Sequence, residues 1–151
     1  MDRSEWQRIY EECFPQVFRA LVAMGARPDE AQDALHDAFE KALARDQHFS
    51  RPEGWLFVVA VRAWRRHRVR TAIFSPLSLL TRSVVVADGE GSDLLTELRR
   101  LPLRQRQVLA ARYLIGLSQE ETAAALGIAR GTVSAHTTQG LARLRERLEA
   151  R

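Results

Sequence analysis

The segment that most constrains the fold is residues 118–139, which the sequence predicts to form two helices joined by a tight turn. Ser118 and Glu121 form a capping box, the pattern that opens a helix, and Gly127 ends this helix. A second helix is predicted from Arg130 to Glu149. A short helix, a tight turn and a longer helix make a helix-turn-helix unit, which places its second helix in the major groove of DNA.

The second helix of this unit has an apolar face and a polar face. The apolar face, predicted to contact the core, consists of Val133, Thr137, Leu141, Leu144 and Leu148. The outward face consists of Thr132, Ser134, Ala135, His136 and Gln139. Such polar side chains hydrogen-bond base edges, and an alanine methyl contacts a thymine methyl. The alternative is a helical hairpin that packs on another protein. The capping box, the turn glycine and the apolar Ile128 after the turn favour DNA binding.

A basic run lies in the first half of the chain. Residues 62–70 hold five arginines and no acidic residue, a density that suits binding to nucleic-acid phosphates. Trp64 inside the run, and Trp55 and Phe57 before it, are candidates for stacking on unpaired bases. The alternative is a solvated helix end with the tryptophans in the core. The core is favoured for Trp55, both interpretations stay open for Trp64, and the run as a whole is interpreted as a nucleic-acid contact.

Charge and turn residues divide the chain into three segments. Residues 71–92 contain only Arg82, Asp88 and Glu90 as charged residues and end in a turn-rich string. We therefore predict a helical domain at residues 1–70, a flexible linker at 71–92 and a second helical domain at 93–151. The fold class is all-α, because no segment carries a strong strand signal.

Three helices are predicted in the first domain and four in the second. In the first domain they span residues 4–24, 28–46 and 52–70, and Pro15 is expected to kink or split the first of them. In the second domain they span residues 93–100, 102–116, 118–127 and 130–149. The second helix of the first domain carries an acidic stripe, which is either a solvated face or a protein contact. Its residues are Glu30, Asp33, Asp37 and Glu40.

Composition limits the classes of function. The formal net charge is +4, and Lys41 is the one lysine among 23 basic residues that are otherwise arginine. This balance fits nucleic acid and also fits an anionic membrane surface. The single cysteine, Cys13, excludes an internal disulfide and a cysteine-based metal site, and we predict that it is a buried apolar residue.

Two further predictions follow from what the sequence lacks. The four histidines have no metal-ligand spacing, and neither a phosphate-binding glycine loop nor a catalytic triad is recognisable, so we predict no metal, no cofactor and no enzyme activity. The N-terminus has no apolar signal core, and no apolar run is long enough to span a membrane. We therefore expect a cytoplasmic protein without membrane insertion.

Four strings in the sequence carry a family resemblance. They are DEAQDALHDAF at residues 29–39, PEGWLF at 52–57, LPLRQRQVL at 101–109, and the helix-turn-helix strings at 116–133. In this order and spacing they resemble the extracytoplasmic-function (ECF) sigma factors, the smallest members of the sigma-70 superfamily, which contain only regions 2 and 4. The resemblance covers nearly all of residues 5–149.

The resemblance implies a sigma factor that binds core RNA polymerase and directs promoter-specific transcription initiation. Region 2 would dock on the β′ clamp and read the −10 element, and region 4 would read the −35 element and touch the β flap. An anti-sigma factor is a further implied partner. The implied clamp-binding residues are Gln32, Asp33, His36, Asp37 and Phe39. The implied −10 contacts are Arg62, Trp64, Arg65, Arg66, Arg68 and Arg70. The implied −35 contacts are Gln119, Arg130, Thr132, Ser134, Ala135, His136, Gln139 and Arg143.

The sequence departs from the family pattern at both DNA-reading segments. Arg62 and Arg66 stand where the family often has Asn and Asp, which adds charge at the −10 segment. The recognition helix has neutral or weakly basic residues at three positions where its relatives are basic. These changes predict a weaker grip on −35 phosphates and a stronger one in the first domain.

Two other functions remain open at the level of sequence. One is a transcription regulator with a LuxR-like effector domain, because residues 132–136 also resemble that recognition helix. The Trp-Leu-Phe string and the basic run, which such a regulator does not need, argue against it. The other is a degenerate sigma-like protein that binds polymerase or a partner without initiating transcription.

Overall fold

The computed structural model describes residues 2–45, 49–74 and 92–150, and for residues 69–74, 92 and 93 it describes only the backbone. Within this part of the chain every regular element is a helix. The predicted all-α class is therefore confirmed. Residues 75–91, the greater part of the predicted linker, lie outside the described residues.

The first helical unit consists of α1 (Arg3–Ala23), α2 (Pro28–Ala44) and α3 (Pro52–Phe74). Asp2 opens α1 by accepting a hydrogen bond from the backbone N–H of Glu5 at 2.9 Å. Of the two outcomes predicted at Pro15, a kink or a split, the split is wrong, because α1 runs through this residue as one helix. The α1 face that carries Cys13, Val17 and Leu21 is buried against the other helices, and this burial holds the helix together across the proline.

The core of the first unit forms where α1, α2 and α3 meet. Leu21, Leu35, Leu56 and Phe57 have no exposed surface there. The third helix continues four residues past its predicted end at Arg70. No glycine or proline interrupts the sequence before Pro76, so nothing local ends the helix earlier.

The second helical unit consists of α4 (Ser92–Arg100), α5 (Leu103–Leu109), α6 (Gln119–Leu126) and α7 (Arg130–Glu149). A π-helical segment, Ala110–Ile115, continues α5 without a break. Gly116, with φ 87°, ends this segment, and Gly127, with φ 68°, ends α6. Both are left-handed conformations that glycine adopts without the steric penalty of a Cβ atom.

The predicted apolar face of α7 is correct along most of the helix. Val133 is fully buried, and Leu141 and Leu144 pack against a small cluster formed by α4 and α5. Leu148 was predicted to be in the core, and this is wrong, since its side chain is 39% exposed. Every residue from Arg145 to Ala150 is exposed, so the last turns of α7 extend beyond the helices on which it packs.

The two helical units pack directly on one another and share one apolar core. Buried residues of both units belong to a single cluster, among them Val17 and Val61 of the first unit and Leu117 and Leu126 of the second. The π-helical segment lies against α1, and α6 lies against α3. Whether the two units dock was left open by the sequence, and in this structure they do.

Candidate nucleic-acid interface

The helix-turn-helix unit begins with the predicted capping box. The Oγ atom of Ser118 accepts a hydrogen bond from the backbone N–H of Glu121 at 3.0 Å, and Glu121 Oε1 accepts one from the backbone N–H of Ser118 at 2.9 Å. These hydrogen bonds with Ser118, together with the nearby Arg51 guanidinium, lower the pKa of the Glu121 carboxyl group. The capping box at the start of α6 therefore favours the ionised form of the Glu121 carboxyl group.

The turn between α6 and α7 is held by polar contacts. Gln119 Nε2 donates a hydrogen bond to the carbonyl oxygen of Arg130 at 2.9 Å. The side chains of Arg130 and Glu120 form an exposed ion pair at 3.0 Å. Gln119 and Arg130, both predicted −35 contacts, therefore also join α6 to the start of α7.

The outward face of α7 matches the predicted recognition face with one correction. Thr132, Ser134, Ala135, Gln139 and Arg143 are exposed.

His136, by contrast, is half-buried, and its Nδ1 atom is shielded and has no hydrogen-bond partner within the described residues. His136 lies three residues after Val133 and four before Gly140, both of which are buried, so helical spacing turns its ring partly inward. It belongs to the edge of the recognition face and not to its centre.

The predicted −10 arginines lie on α3 in different environments. Arg62 and Arg66 are exposed, whereas Arg65 is half-buried and donates from Nη1 to the carbonyl oxygen of Leu126 at 2.8 Å. Arg68 lies over the ring of Trp64, with its guanidinium carbon 5.0 Å from the ring centre. The side chain of Arg70 lies outside the described part of the structure.

Trp64 lies in the core of the first unit, and its ring is not open to a base in this conformation. Only 2% of the residue is exposed, because it follows Ala60 and Val61 by one helical turn on the buried face of α3. Its Nε1 atom finds no hydrogen-bond partner among the described residues. The sequence places Trp64 one helical turn after Ala60 and Val61, which indicates burial. The flanking arginines indicate exposure, and the sequence alone did not decide between the two.

Trp55 is more accessible than the sequence suggested. The core was favoured for this residue, yet its ring is only half-buried, between Phe49 at 4.8 Å and the guanidinium of Arg45 at 5.7 Å. Phe57, the third aromatic candidate, is fully buried. Among the three, Trp55 is therefore the ring with a partly open face.

The predicted clamp-binding residues lie on α2 and are mostly accessible. Gln32, Asp33 and His36 are exposed, and Asp37 pairs with Lys41 at 3.1 Å. Phe39 is buried and contacts the ring of Tyr10, so it supports this face from below.

The prediction that Glu30 belongs to the acidic stripe of α2 is wrong. This residue is 7% exposed, and its Oε1 atom accepts a hydrogen bond from the backbone N–H of Arg27 at 3.0 Å. Glu30 therefore caps the N-terminus of α2, three residues into the helix, as a capping-box glutamate does. Asp33 and Asp37 remain on the accessible face.

Two concave surfaces adjoin these residues. A polar cavity of about 310 Å³ lies between α2 and α3, where Asp33 and Asp37 face Arg66 and His67. A groove of about 550 Å³ lies between α3 and α6. Its walls include Trp55, Arg62, Leu117, Glu121 and Ala124.

Cys13 is buried, as the sequence predicted. Burial, with smaller contributions from Glu53 and Glu12, raises the pKa of its thiol to about 11. In the part of the chain that the structure describes, no group of three His, Cys, Asp or Glu side chains is placed to hold a metal ion. None of the described helices is both long and apolar enough to cross a membrane.

Comparison with known sequences gives matches along nearly all of the chain. Residues 9–72 match the family described as Sigma-70 region 2, and residues 98–146 match the family described as Sigma-70, region 4. The RNA polymerase sigma-E factor of Streptomyces avermitilis is 48% identical over 163 aligned residues, covering 100% of this chain and 87% of that protein. The ECF RNA polymerase sigma factor SigM of Mycobacterium tuberculosis is 28% identical over 151 residues, covering 95% of this chain and 76% of SigM.

Two solved structures have a similar fold. The sigma factor RpoE from Bartonella quintana, in complex with the anti-sigma factor NepR, superposes with a TM-score of 0.76 at 21% identity, covering 96% of this chain and 97% of RpoE. CnrH in complex with the cytosolic domain of CnrY superposes with a TM-score of 0.61 at 21% identity, covering 99% of this chain and 90% of CnrH.

Proposed function

Since the chain belongs to the sigma-70 family of RNA polymerase sigma factors, of the ECF type with regions 2 and 4, we propose that its two helical units divide promoter recognition between them. A sigma factor binds core RNA polymerase and directs it to start transcription at promoters. In our proposal residues 1–70 form region 2, residues 71–92 form the linker and residues 93–151 form region 4. The observation that carries the proposal is the pairing of a helix-turn-helix with a basic helix that has accessible arginines.

The accessible face of α2 is the proposed contact with the β′ clamp. Gln32, Asp33 and His36 offer polar and charged groups to a partner, and Asp37 lies beside them in its ion pair with Lys41. A carboxylate-rich face repels DNA phosphates, so a protein partner suits it better. Phe39 contributes by holding the helix in place from beneath, and not by direct contact.

The proposed contact with the −10 element uses the arginines of α3. Arg62 and Arg66 reach solvent and are suited to phosphates of the displaced strand. Arg65, Arg68 and Arg70 are proposed to contact the same strand once α3 is fully accessible. Trp64 contributes as the platform under Arg68. Trp55, with its half-open ring, is the better candidate for stacking on an unpaired base.

The proposed contact with the −35 element uses the exposed face of α7. Thr132, Ser134 and Ala135 lie at the N-terminal part of the helix, which enters the major groove in helix-turn-helix proteins. Arg130 and Arg143 supply phosphate contacts near the two ends of this face, and Gln139 and His136 lie between them. Gln119 fixes the turn through its hydrogen bond to Arg130.

The remaining partners follow from the family and its neighbours. Region 4 is proposed to touch the β flap of polymerase. Because the structural neighbour RpoE is a sigma factor bound to the anti-sigma factor NepR, an anti-sigma factor is the proposed regulator of this chain as well. The proposed place of action is the cytoplasm, where polymerase works, and the chain acts there by binding and without bond-making chemistry.

Charge reversal on α2 tests the clamp contact. We expect the double variant Asp33→Lys, Asp37→Lys to lower the affinity for core polymerase roughly tenfold or more, because complementary charges become like charges. Its affinity for isolated duplex DNA should not fall. The matched control is Glu11→Lys, Glu12→Lys, which makes the same change in net charge at exposed positions of α1. Equal affinity of the two double variants for core polymerase would show that this face of α2 is not the clamp contact.

A further inference from the structure

A buried amide lies directly behind the exposed face of α7. Gln105 of α5 is only 4% exposed, and its Nε2 atom donates a hydrogen bond to Oε1 of Gln139 at 3.4 Å. Gln139 itself is exposed and is one of the proposed −35 contacts. The hydrogen bond therefore joins the core of the second unit to a side chain that is available to DNA.

The two helices approach each other closely at this point. Gly140, the residue after Gln139, is buried, and a Cβ atom on it would lie 3.4 Å from Cβ of Gln105 and 3.0 Å from Cδ1 of Leu109. Because Gly140 has no side chain, the backbone of α7 comes near enough to α5 for the Gln105 amide to reach Gln139.

The Gln105 amide has few other ways to satisfy its polar atoms. Its Oε1 atom is shielded from solvent and has no hydrogen-bond partner in residues 2–45, 49–74 and 92–150. A buried amide that also lost the hydrogen bond of its nitrogen would be still more costly. The contact with Gln139 is therefore one that the fold favours keeping.

Gln139 shares one line of α7 with other exposed residues. It follows Thr132 by seven positions and Ala135 by four, and Arg143 lies four positions further along. Residues with this spacing lie above one another on one face of a helix. When α7 lies in the major groove as proposed, Gln139 therefore reaches a base edge next to the one below Ala135.

The hydrogen bond from Gln105 changes which base the Gln139 amide can read. A free glutamine reads adenine with both amide atoms, accepting from N6 through its oxygen and donating to N7 through its nitrogen. Here the Gln139 oxygen is engaged by Gln105, which leaves the N–H groups of Nε2 for the groove. Two N–H donors match guanine, because its O6 and N7 atoms both accept hydrogen bonds.

We propose that Gln105 is a positioning residue for −35 recognition, which makes Gln139 select guanine over adenine. The inference rests on the proposed role of α7 at the −35 element. Gln105 does not contact DNA in this scheme and acts by holding the Gln139 oxygen. Cytosine is disfavoured at the same position, because its major-groove edge offers only the N4 donor.

The substitution Gln105→Met separates this role from a structural one. It keeps the length of the side chain and removes the donor, so the Gln139 amide becomes free to pair with adenine through both atoms. The matched control is Gln107→Met, the same change at a second buried glutamine of α5. Gln107 accepts a hydrogen bond from Arg104 of its own helix at 3.2 Å. Thermal unfolding checks that both variants are folded.

Base preference is measured with reconstituted polymerase holoenzyme. Core polymerase and the wild-type chain, or one variant, are incubated with a pool of linear duplex templates that contain a randomised segment. The templates retained in complexes are sequenced, and base frequencies are compared at each position of the −35 motif. The position read by Gln139 is the one whose preference is lost in Gln139→Ala.

We expect the wild type and Gln107→Met to favour guanine at this position. Gln105→Met should lower the ratio of guanine to adenine there about five- to tenfold, the discrimination that one bidentate base contact provides. The other positions of the motif should keep their preferences. In a Gln139→Ala background, Gln105→Met should change no base preference, because its effect passes through Gln139.

An unchanged ratio in Gln105→Met, or an equal shift in Gln107→Met, would overturn the inference and leave the −35 role of α7 intact. A wild-type preference for adenine or cytosine at the Gln139 position would overturn it as well. So would a shift by Gln105→Met that persists in the Gln139→Ala background. If the wild-type holoenzyme selects no −35 motif at all, the proposed function of α7 fails, and the inference fails with it.

Discussion

Two glycines of α7 have different surroundings, and their replacement by alanine should have opposite effects. A Cβ atom on Gly140 would lie 3.0 Å from Leu109 Cδ1, whereas one on Gly131 would meet nothing within 4 Å. Because Leu109 is buried and has little room to move, we expect Gly140→Ala to destabilise the fold by about 1 kcal/mol. Gly131→Ala should stabilise it by about 0.5–1 kcal/mol through helix propensity. Thermal and urea unfolding of both variants measure this, and equal effects would contradict the close packing of α7 on α5.

Single residues also show what a sequence can tell about a site. The exposed face of α7 could be predicted from helical spacing, and so could the burial of Cys13. The burial of Trp64 and Glu30 could not be predicted in this way. The charged neighbours of both residues suggest that they are exposed. Trp64 is instead buried by tertiary packing, and Glu30 is buried where it caps the start of α2.

At the scale of elements, the capping box of α6 should be a measurable source of stability. Removing its hydroxyl acceptor by Ser118→Ala should cost about 1 kcal/mol of unfolding free energy. Ser134→Ala, at an exposed position in α7, is the control and should change stability by less than about 0.5 kcal/mol.

The same capping box gives a pH dependence with a defined sign. The pKa of Glu121 is lower in the fold than its ordinary value of 4.5, so its stabilisation is present above about pH 4.5 and is lost as the pH falls through the lower folded pKa. The difference between wild type and Ser118→Ala should therefore narrow in acid. A difference that stays constant from pH 7 to pH 3 would mean that Glu121 is not coupled to this cap.

The elements themselves follow local sequence signals closely. The helix Arg130–Glu149 lies where it was predicted, and the capping box and Gly127 mark α6 correctly. The π-helical segment Ala110–Ile115 carries no comparable signal. Apolar residues there fit an α-helical pattern equally well, and the contact with α1 is a property of the folded chain.

At the scale of the whole molecule, the sequence left open whether the two units dock on one another. Residues 108–117 look like an ordinary core helix, and part of their apolar surface contacts the first unit instead. Arg51 lies outside the basic run, yet it donates to Gly116 O. Such contacts join residues that are far apart in the chain, and only the folded arrangement brings them together.

In the proposed function the arginines of α3 have two roles. Arg62 and Arg66 are accessible for DNA, while Arg65 holds the second unit in place. The neutral residues on the exposed face of α7 predict a weak grip on −35 phosphates, so we expect a larger share of DNA affinity to fall to the first unit and to polymerase.

Promoter-specific run-off transcription tests the central claim most directly. Purified chain is added to sigma-free core polymerase on a library of linear templates, and the transcripts are sequenced to map their start sites. We expect discrete start sites that share sequence motifs near −35 and −10 and that are absent with core polymerase alone. A chain that binds duplex DNA but gives no transcript beyond those of core polymerase would contradict the account and favour a DNA-binding regulator.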